Sequence, residues 1–231
     1  MKHISRYNFR KRVNIQQLEN LNISVDVNLN SGQEGKDLFY GSDPRGPMNW
    51  SYRRLSLEEM CDDPNDSDVY QMRRLKLCIA EYPKEMIPEK SFPFECNADL
   101  FGSISFSKGC YVGQELTARV KYTGVIRKRQ LYFRSNSPFE DGMNGMESSE
   151  GLLQLLNNEK VIGSVKSVKS YLDHQRGVYL HGLALVNLSD AFESLGNATI
   201  RSPNGEFDIK LFRPEFWEDE NEGINKISYF D

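Results

Sequence analysis

At 231 residues the chain is long enough for one large domain or two ordinary ones, and 39% hydrophobic content is enough to fill a core. A net charge of −4 argues against a general nucleic-acid binder, and no apolar run reaches the roughly 18 residues that a membrane-spanning helix needs. The four cysteines, Cys61, Cys78, Cys96 and Cys110, stand 17, 18 and 14 residues apart. That spacing holds no C-x-x-C pair and no Cys/His block, so it speaks for reduced thiols rather than a zinc site or a disulfide framework.

Read in chain order, the first third predicts strands. The opening dozen residues are basic with no acid, but Phe9, Val13 and Ile15 lead on as a strand and are expected to be folded chain rather than a leader. Ile23, Val25, Val27 and Leu29 alternate with polar residues at the period of a half-buried strand. Short strands follow at Leu38–Tyr40 and near 49–55, across a Gly-Ser-Asp-Pro-Arg-Gly-Pro turn in which Asp43 and Arg45 are read simply as turn residues. An acidic loop over 56–68 leads to a helix. Asp68 and Gln71 make a capping arrangement, Met72, Leu75, Ile79 and Tyr82 share one face, and Pro83 ends it. Leu100, Gly102, Ile104 and Phe106 alternate with polar or outward positions, which predicts a further strand.

Residues 108–129 hold six Lys/Arg against one Glu, a local +5 in an acidic chain. The segment reads as turn then helix. Gly109 and Gly113 give backbone freedom, and the helix runs from about Gln114 to Tyr122. Glu115 lies in its first turn, Arg119 and Lys121 in its last, and Gly124 beyond its end. Cys110 therefore stands before a helix N-terminus beside Lys108, a setting that favours thiolate. The residues equally allow a buried, inert cysteine. After about Val125 the texture changes to six short strands, at 126–134, 152–156, 160–170, 178–187, 197–202 and 206–213, which predict a small antiparallel barrel. The chain thus divides into a first domain over 1–124, a barrel over 125–216 and an acidic tail over 217–231. The fold class is α+β. His3, His174 and His181 show no triad or metal spacing, and Trp50 and Trp217 read as packing anchors.

Lys108-Gly109-Cys110-Tyr111-Val112-Gly113-Gln114-Glu115, with Leu116-Thr117-Ala118-Arg119 after it, resembles the signature of the YgfZ family of folate-binding iron–sulfur assembly factors. Gly124-Val125-Ile126-Arg127-Lys128-Arg129 is similar to the mitochondrial members. Weaker likenesses extend to Tyr7–Ile15, Asp43-Pro44-Arg45, Pro93–Asn97 and the C-terminal barrel. The resemblance implies the fold of the glycine-cleavage aminomethyltransferase, so that 1–124 would be part of a folate domain. It implies maturation of [4Fe–4S] client apoproteins in the mitochondrial matrix, with a [2Fe–2S] cluster shared through Cys110 with an A-type carrier. It also implies tetrahydrofolate contacts at Glu95, on the pterin edge, and at Arg127, near the glutamate tail; the plainer readings are a surface glutamate and one member of an ordinary basic strand. Lys108, Gly109, Tyr111, Gly113, Gln114 and Glu115 are the rest of the motif. Family members carry a further stretch ahead of the strand near Tyr7, so this likeness leaves out much of the first half of the folate domain and the transferase's aspartate. An aminomethyl transferase is the alternative activity, and neither nucleic acid nor membrane is an expected partner. A thiol enzyme with Cys110 as nucleophile would want a histidine base, and none stands within 60 residues of it.

Overall fold

A computed structural model describes residues 22–26, 39–45, 51–56, 64–138, 153–173, 177–202, 205–217 and 225–227. The expected strand at Phe9–Ile15, Trp50, Cys61, His3 and His174 lie outside the described residues. The chain forms two compact units, one of residues 1–43 and 48–67, the other of 44–47 and 68–231.

The first unit holds a three-stranded antiparallel sheet in which β3 (Tyr52–Ser56) lies between β1 (Asn22–Asp26) and β2 (Phe39–Ser42). They fall on the three segments of this region that were expected to be strands. Asp43 is buried and pairs with Arg53 at 3.2 Å, so it does more than turn the chain.

In the second unit, six strands close into an antiparallel barrel: β4 (Lys128–Ser135), β5 (Gln154–Asn157), β6 (Lys160–Asp173), β7 (Gly177–Asn187), β8 (Asn197–Ser202) and β9 (Gly205–Pro214). Their order is β9-β4-β7-β6-β5-β8, and β8 pairs back to β9. Closure removes the exposed edges that so small a sheet would otherwise carry. The interior is filled by Leu131, Phe133, Leu155, Val165, Val186, Ile200, Ile209 and Leu211, with Trp217 as the expected anchor. Two elements were not foreseen. A short helix α3 (Leu188–Glu193) starts where the Asn187 side chain accepts the Ser189 N–H at 3.2 Å, a capping signal legible in Asn-Leu-Ser-Asp. In the stretch read as a tail, β10 (Asn225–Ile227) pairs parallel to β9.

Strand β4 is buried on both faces from Arg129 to Phe133, because the chain before it packs over the outside of the barrel. Helix α1 (Pro64–Lys76) begins with proline at its first position, four residues before the expected cap, and ends well short of Pro83. Cys78 takes φ +56°, and its N–H returns to the Leu75 carbonyl, which closes the helix there. Tyr82 is consequently 71% exposed instead of extending the buried face. Leu75 and Cys78 cover Tyr132 and Leu183 on the outer wall. Residues 100–106 are no strand. The N–H groups of Leu100, Gly102 and Ser103 bond carbonyls three to five residues back, and Gly102 sits at φ +63°. Local turns have used the donors that a sheet would need. The composition shift at Val125 falls inside this second unit.

Buried charge ties the covering chain down. Arg74 meets Glu85 at 2.7 Å and the Ile79 carbonyl at 3.1 Å, and Glu81 reaches Arg45 at 3.2 Å and also accepts the Tyr70 hydroxyl. Burial, then the Glu81 bond, pushes Tyr70 up to about 12. Arg45 is therefore an ion-pair residue as well as a turn residue. Among the described residues no helix is long and apolar enough to cross a membrane.

His181 is a packing histidine, as expected of it, with Nδ1 2.6 Å from the Tyr132 hydroxyl. Burial, followed by Arg134 and Lys76, lowers its pKa to about 4. Unfolded histidine titrates near 6.5, so between these values the unfolded chain binds a proton that the folded chain does not. Stability is expected to fall as pH drops from about 6.5 through about 4, by up to roughly 1.4 kcal/mol per pH unit. Calorimetric proton uptake on unfolding at pH 5.3 should be about one proton lower in His181→Gln; equal uptake would remove His181 as the source.

Candidate functional site

The motif folds largely as its residues dictate. Gly113 sits at φ +86°, a left-handed conformation that suits glycine, and opens helix α2 (Gln114–Thr123). The Tyr111 N–H donates to Gln114 Oε1 at 3.1 Å, while the Gln114 N–H donates to the Tyr111 carbonyl at 3.2 Å. These reciprocal bonds fix the loop against the first turn. The Thr117 hydroxyl donates to the Gly113 carbonyl at 3.1 Å. Arg119 pairs with Glu115 one turn back at 2.8 Å. Gly124 leaves in extended conformation, and a Cβ there would lie 2.8 Å from the Val120 Cα, so the exit needs glycine for space.

Gly109 corrects the reading. It is not in the left-handed region, and a Cβ on it would meet nothing within 4 Å, so the backbone there has no steric need of glycine. Lys108 has its Nζ 5.0 Å from the centroid of the Tyr111 ring, a cation–π contact. Cys110 is exposed, which settles the choice between a surface thiol and a buried one. Cys78 and Cys96 are the inert kind. Cys78 accepts the Tyr132 N–H at 3.1 Å, and burial pushes its thiol up to about 12. Burial also raises Cys96, whose sulfur lies 3.8 Å from the Gln130 amide.

Glu95 and Arg127, 32 positions apart in the chain, line one cleft of about 330 Å³. Its walls are apolar: Phe92, Phe94, Leu116, Val120, Val125 and Ile126, with Lys128 beside Arg127. The convergence is made by β4. Gln130 takes the Glu95 carbonyl on its N–H at 2.9 Å, and its own carbonyl accepts the Asn97 amide at 2.8 Å. Arg129 grips both oxygens of Asp99 at 2.8 Å, donates to the Phe94 carbonyl at 3.2 Å and lies over Trp217. Sequence reading missed this clamp, because Arg129 looked like one more member of a basic run. Cys110 is not among the residues lining the cleft. Among the described residues, no three or more His, Cys, Asp or Glu side chains are grouped to hold a metal.

A cleft of this size with one carboxylate, two cations and apolar walls suits a flat, partly charged organic ligand. The exposed thiol at its own site suits metal coordination or exchange with another protein. No family model matches the chain. Curated relatives do match it, and they make it a relative of the iron–sulfur cluster assembly factors, as residues 108–115 led us to expect. Within that class it is similar to proteins named "Iron-sulfur cluster assembly factor IBA57 homolog, mitochondrial". The one from Pyricularia oryzae is 31% identical over 204 residues, covering 81% of this chain and 51% of that protein. The one from Neosartorya fischeri is 38% identical over 161 residues, 65% of this chain and 35% of that protein. The one from Neurospora crassa is 33% identical over 177 residues, 66% and 40% respectively. The chain spans about half, or less, of the length of these relatives.

Proposed function

We propose that the chain is an assembly factor for mitochondrial [4Fe–4S] proteins, acting in the matrix, and that Cys110 holds a [2Fe–2S] cluster shared with an A-type carrier on its way to client apoproteins. The cluster is cargo. The observation that carries this reading is the exposure of Cys110 on a loop held rigid by Tyr111 and Gln114, while Cys78 and Cys96 are buried. Such clusters take four thiolates or their equivalent, so the remaining ligands come from the partner. The names of the relatives support the compartment and the process.

The meeting of Glu95 and Arg127 in an apolar cleft favours tetrahydrofolate as a second ligand, in a domain of aminomethyltransferase-like ancestry. Glu95 would accept from the amino and ring N–H groups of the pterin, and Arg127 would pair with a tail carboxylate. Aminomethyl transfer on that folate is the alternative activity; it leaves Cys110 without a task. Mixing the chain with an A-type carrier, ferric iron and sulfide under argon decides between them. A brown complex in which both proteins co-elute is the expected result, and a colourless chain eluting apart from a brown carrier overturns the assembly reading. For the cleft, Arg127→Ala is expected to weaken tetrahydrofolate binding by about 1.5–3 kcal/mol, the usual worth of a hydrogen bond to a charged group. Equal affinities in calorimetric titration would take Arg127 out of the site.

A further inference from the structure

The outer wall of the barrel carries a row of basic residues that neither the cleft nor the Cys110 loop uses. Leu131 and Phe133 of β4, Leu180 and Ala184 of β7, Val168 of β6, and Ile209 and Leu211 of β9 fill the interior. The residues between them therefore face outward. Strand register then sets four of these in line. Lys169 of β6 stands opposite His181 of β7, His181 opposite Arg134 of β4, and Arg134 opposite Lys210 of β9. Directly opposed residues share a face, so at about 4.8 Å per strand the row runs for about 14 Å. His181 is buried against the Tyr132 hydroxyl, and with its pKa lowered to about 4 it adds no charge at neutral pH. Lys76, from the last turn of α1, adds its charge to that of Arg134 at the His181 ring.

The row is not compensated from within. Arg134 is exposed, Lys169 and Lys210 are half-buried, and none of the three forms an ion pair with a described residue. Glu85, in the covering chain, is buried against Arg74. Asp208, two residues before Lys210, accepts the Thr199 hydroxyl at 3.0 Å and sets one negative charge at that end. Like charges directly opposed across strands weaken a sheet, so the fold itself gains nothing from the row. Arg134 is also held in place. Its guanidinium lies 5.9 Å from the centroid of the Tyr179 ring and 6.0 Å from that of Phe212. Two rings thus steady the fork while its N–H donors stay open to a planar carboxylate. Tyr171, opposite Tyr179, extends the aromatic border. Arginine set among aromatic side chains is the composition of the energetic centres of protein interfaces.

A nucleic acid would want a longer footprint, since binding through the backbone commonly neutralises about 6–10 phosphates. A membrane surface would want protruding apolar side chains, whereas Tyr171, Tyr179 and Phe212 are half-buried. We propose that this row, with Lys169, Arg134 and Lys210 bordered by the three rings, is a docking surface for an acidic segment of a partner protein, one of whose carboxylates sits in the Arg134 fork. The surface is separate from the cluster and folate readings, because none of its residues lines the cleft or belongs to the Cys110 loop.

The test titrates the intact chain into fluorescein-labelled decaglutamate at 50 and 300 mM salt and follows polarisation, with an uncharged Gly-Ser peptide of the same length as the blank. The unaltered chain is expected to bind decaglutamate, more weakly at the higher salt, and to leave the blank free. Arg134→Glu is expected to weaken binding at least tenfold, and Lys169→Glu and Lys210→Glu several-fold each. Neither lysine touches a ring, so a loss shared by all three variants is not a collapse of the packing around Arg134. Lys121→Glu makes the same change of net charge on α2, whose Leu116 and Val120 line the cleft with Lys128 at the start of β4, and is expected to bind as the unaltered chain does. Absence of binding by the unaltered chain, or equal binding by Arg134→Glu and Lys210→Glu, overturns the proposal. So does a loss in Lys121→Glu or Arg127→Ala as large as that in Arg134→Glu, which would put the peptide at the cleft. Tighter binding to a labelled oligouridylate or to anionic vesicles than to decaglutamate, lost in Arg134→Glu, would assign the row to another class of partner. Binding gained only when Glu218→Gln, Asp219→Asn, Glu220→Gln and Glu222→Gln are combined would assign it to this chain's own acidic run.

Discussion

Cys110→Ser is expected to leave the mixture with an A-type carrier free of shared cluster, with visible absorption and iron content in the co-eluting fraction at background. A serine hydroxyl does not ionise near neutral pH and is a poor ligand for iron beside thiolate, so loss is nearly complete rather than graded. The thermal midpoint should hardly move, since Cys110 is exposed and surface substitutions usually cost within about 0.5 kcal/mol. Cys78→Ala and Cys96→Ala are expected to do the reverse, lowering stability through lost packing in buried positions while leaving the cluster in place. Cys61→Ser, at a position outside the described residues, is also expected to retain it. In the native chain iodoacetamide should label Cys110 well before Cys78, whose thiol is held near 12 by burial. Full cluster occupancy in Cys110→Ser would make the thiol structural and end the assembly reading as stated.

Gly182→Ala is expected to cost about 3 kcal/mol or more, the upper range for forcing volume into a packed core. Gly182 sits where β7 pairs with both β4 and β6, opposite Phe133 and Val168. A Cβ there would lie 2.0 Å from the Ser167 carbonyl oxygen and 2.7 Å from the Phe133 ring. The carbonyl is backbone within a ladder and cannot swing aside as a side-chain end can. Urea unfolding followed by circular dichroism reports the effect, with Gly109→Ala as its contrast. No atom lies within 4 Å of a Cβ at Gly109, so that variant should unfold with the unaltered chain. A Gly182→Ala midpoint equal to that of the unaltered chain would mean that β6 and β7 do not approach so closely.

The six barrel strands were legible in the sequence to within about two residues at most ends, because each alternates or runs apolar between turn signals. Helix α2 was legible for a similar reason, with Gly113 and Gly124 marking its ends. The thiol motif was visible as a string of residues, although its sequence left open whether Cys110 was exposed. Local pattern failed where local chemistry gave no vote. Leu100, Gly102, Ile104 and Phe106 alternate as a strand would, yet their segment coils, since its donors find carbonyls nearby before any sheet edge does. The Met72–Tyr82 face looked continuous, but Cys78 adopts a positive φ and the helix stops.

Closure of the barrel, burial of both faces of β4 and the single cleft containing Glu95 and Arg127 all belong to the tertiary structure. The β8–β9 pairing that closes the ring meets β4 on the other edge of β9, and nothing in β4 itself records that neighbour. Arg129 is identical in type to the exposed Arg127 two positions earlier; only the arrival of Asp99 and the Phe94 carbonyl makes one a buried clamp and leaves the other at a cleft mouth. A side chain's periodicity is set by its own segment and can be read there. Its burial, and hence its electrostatics and its partners, depends on which distant segments pack against it, and that is decided only when the chain has folded.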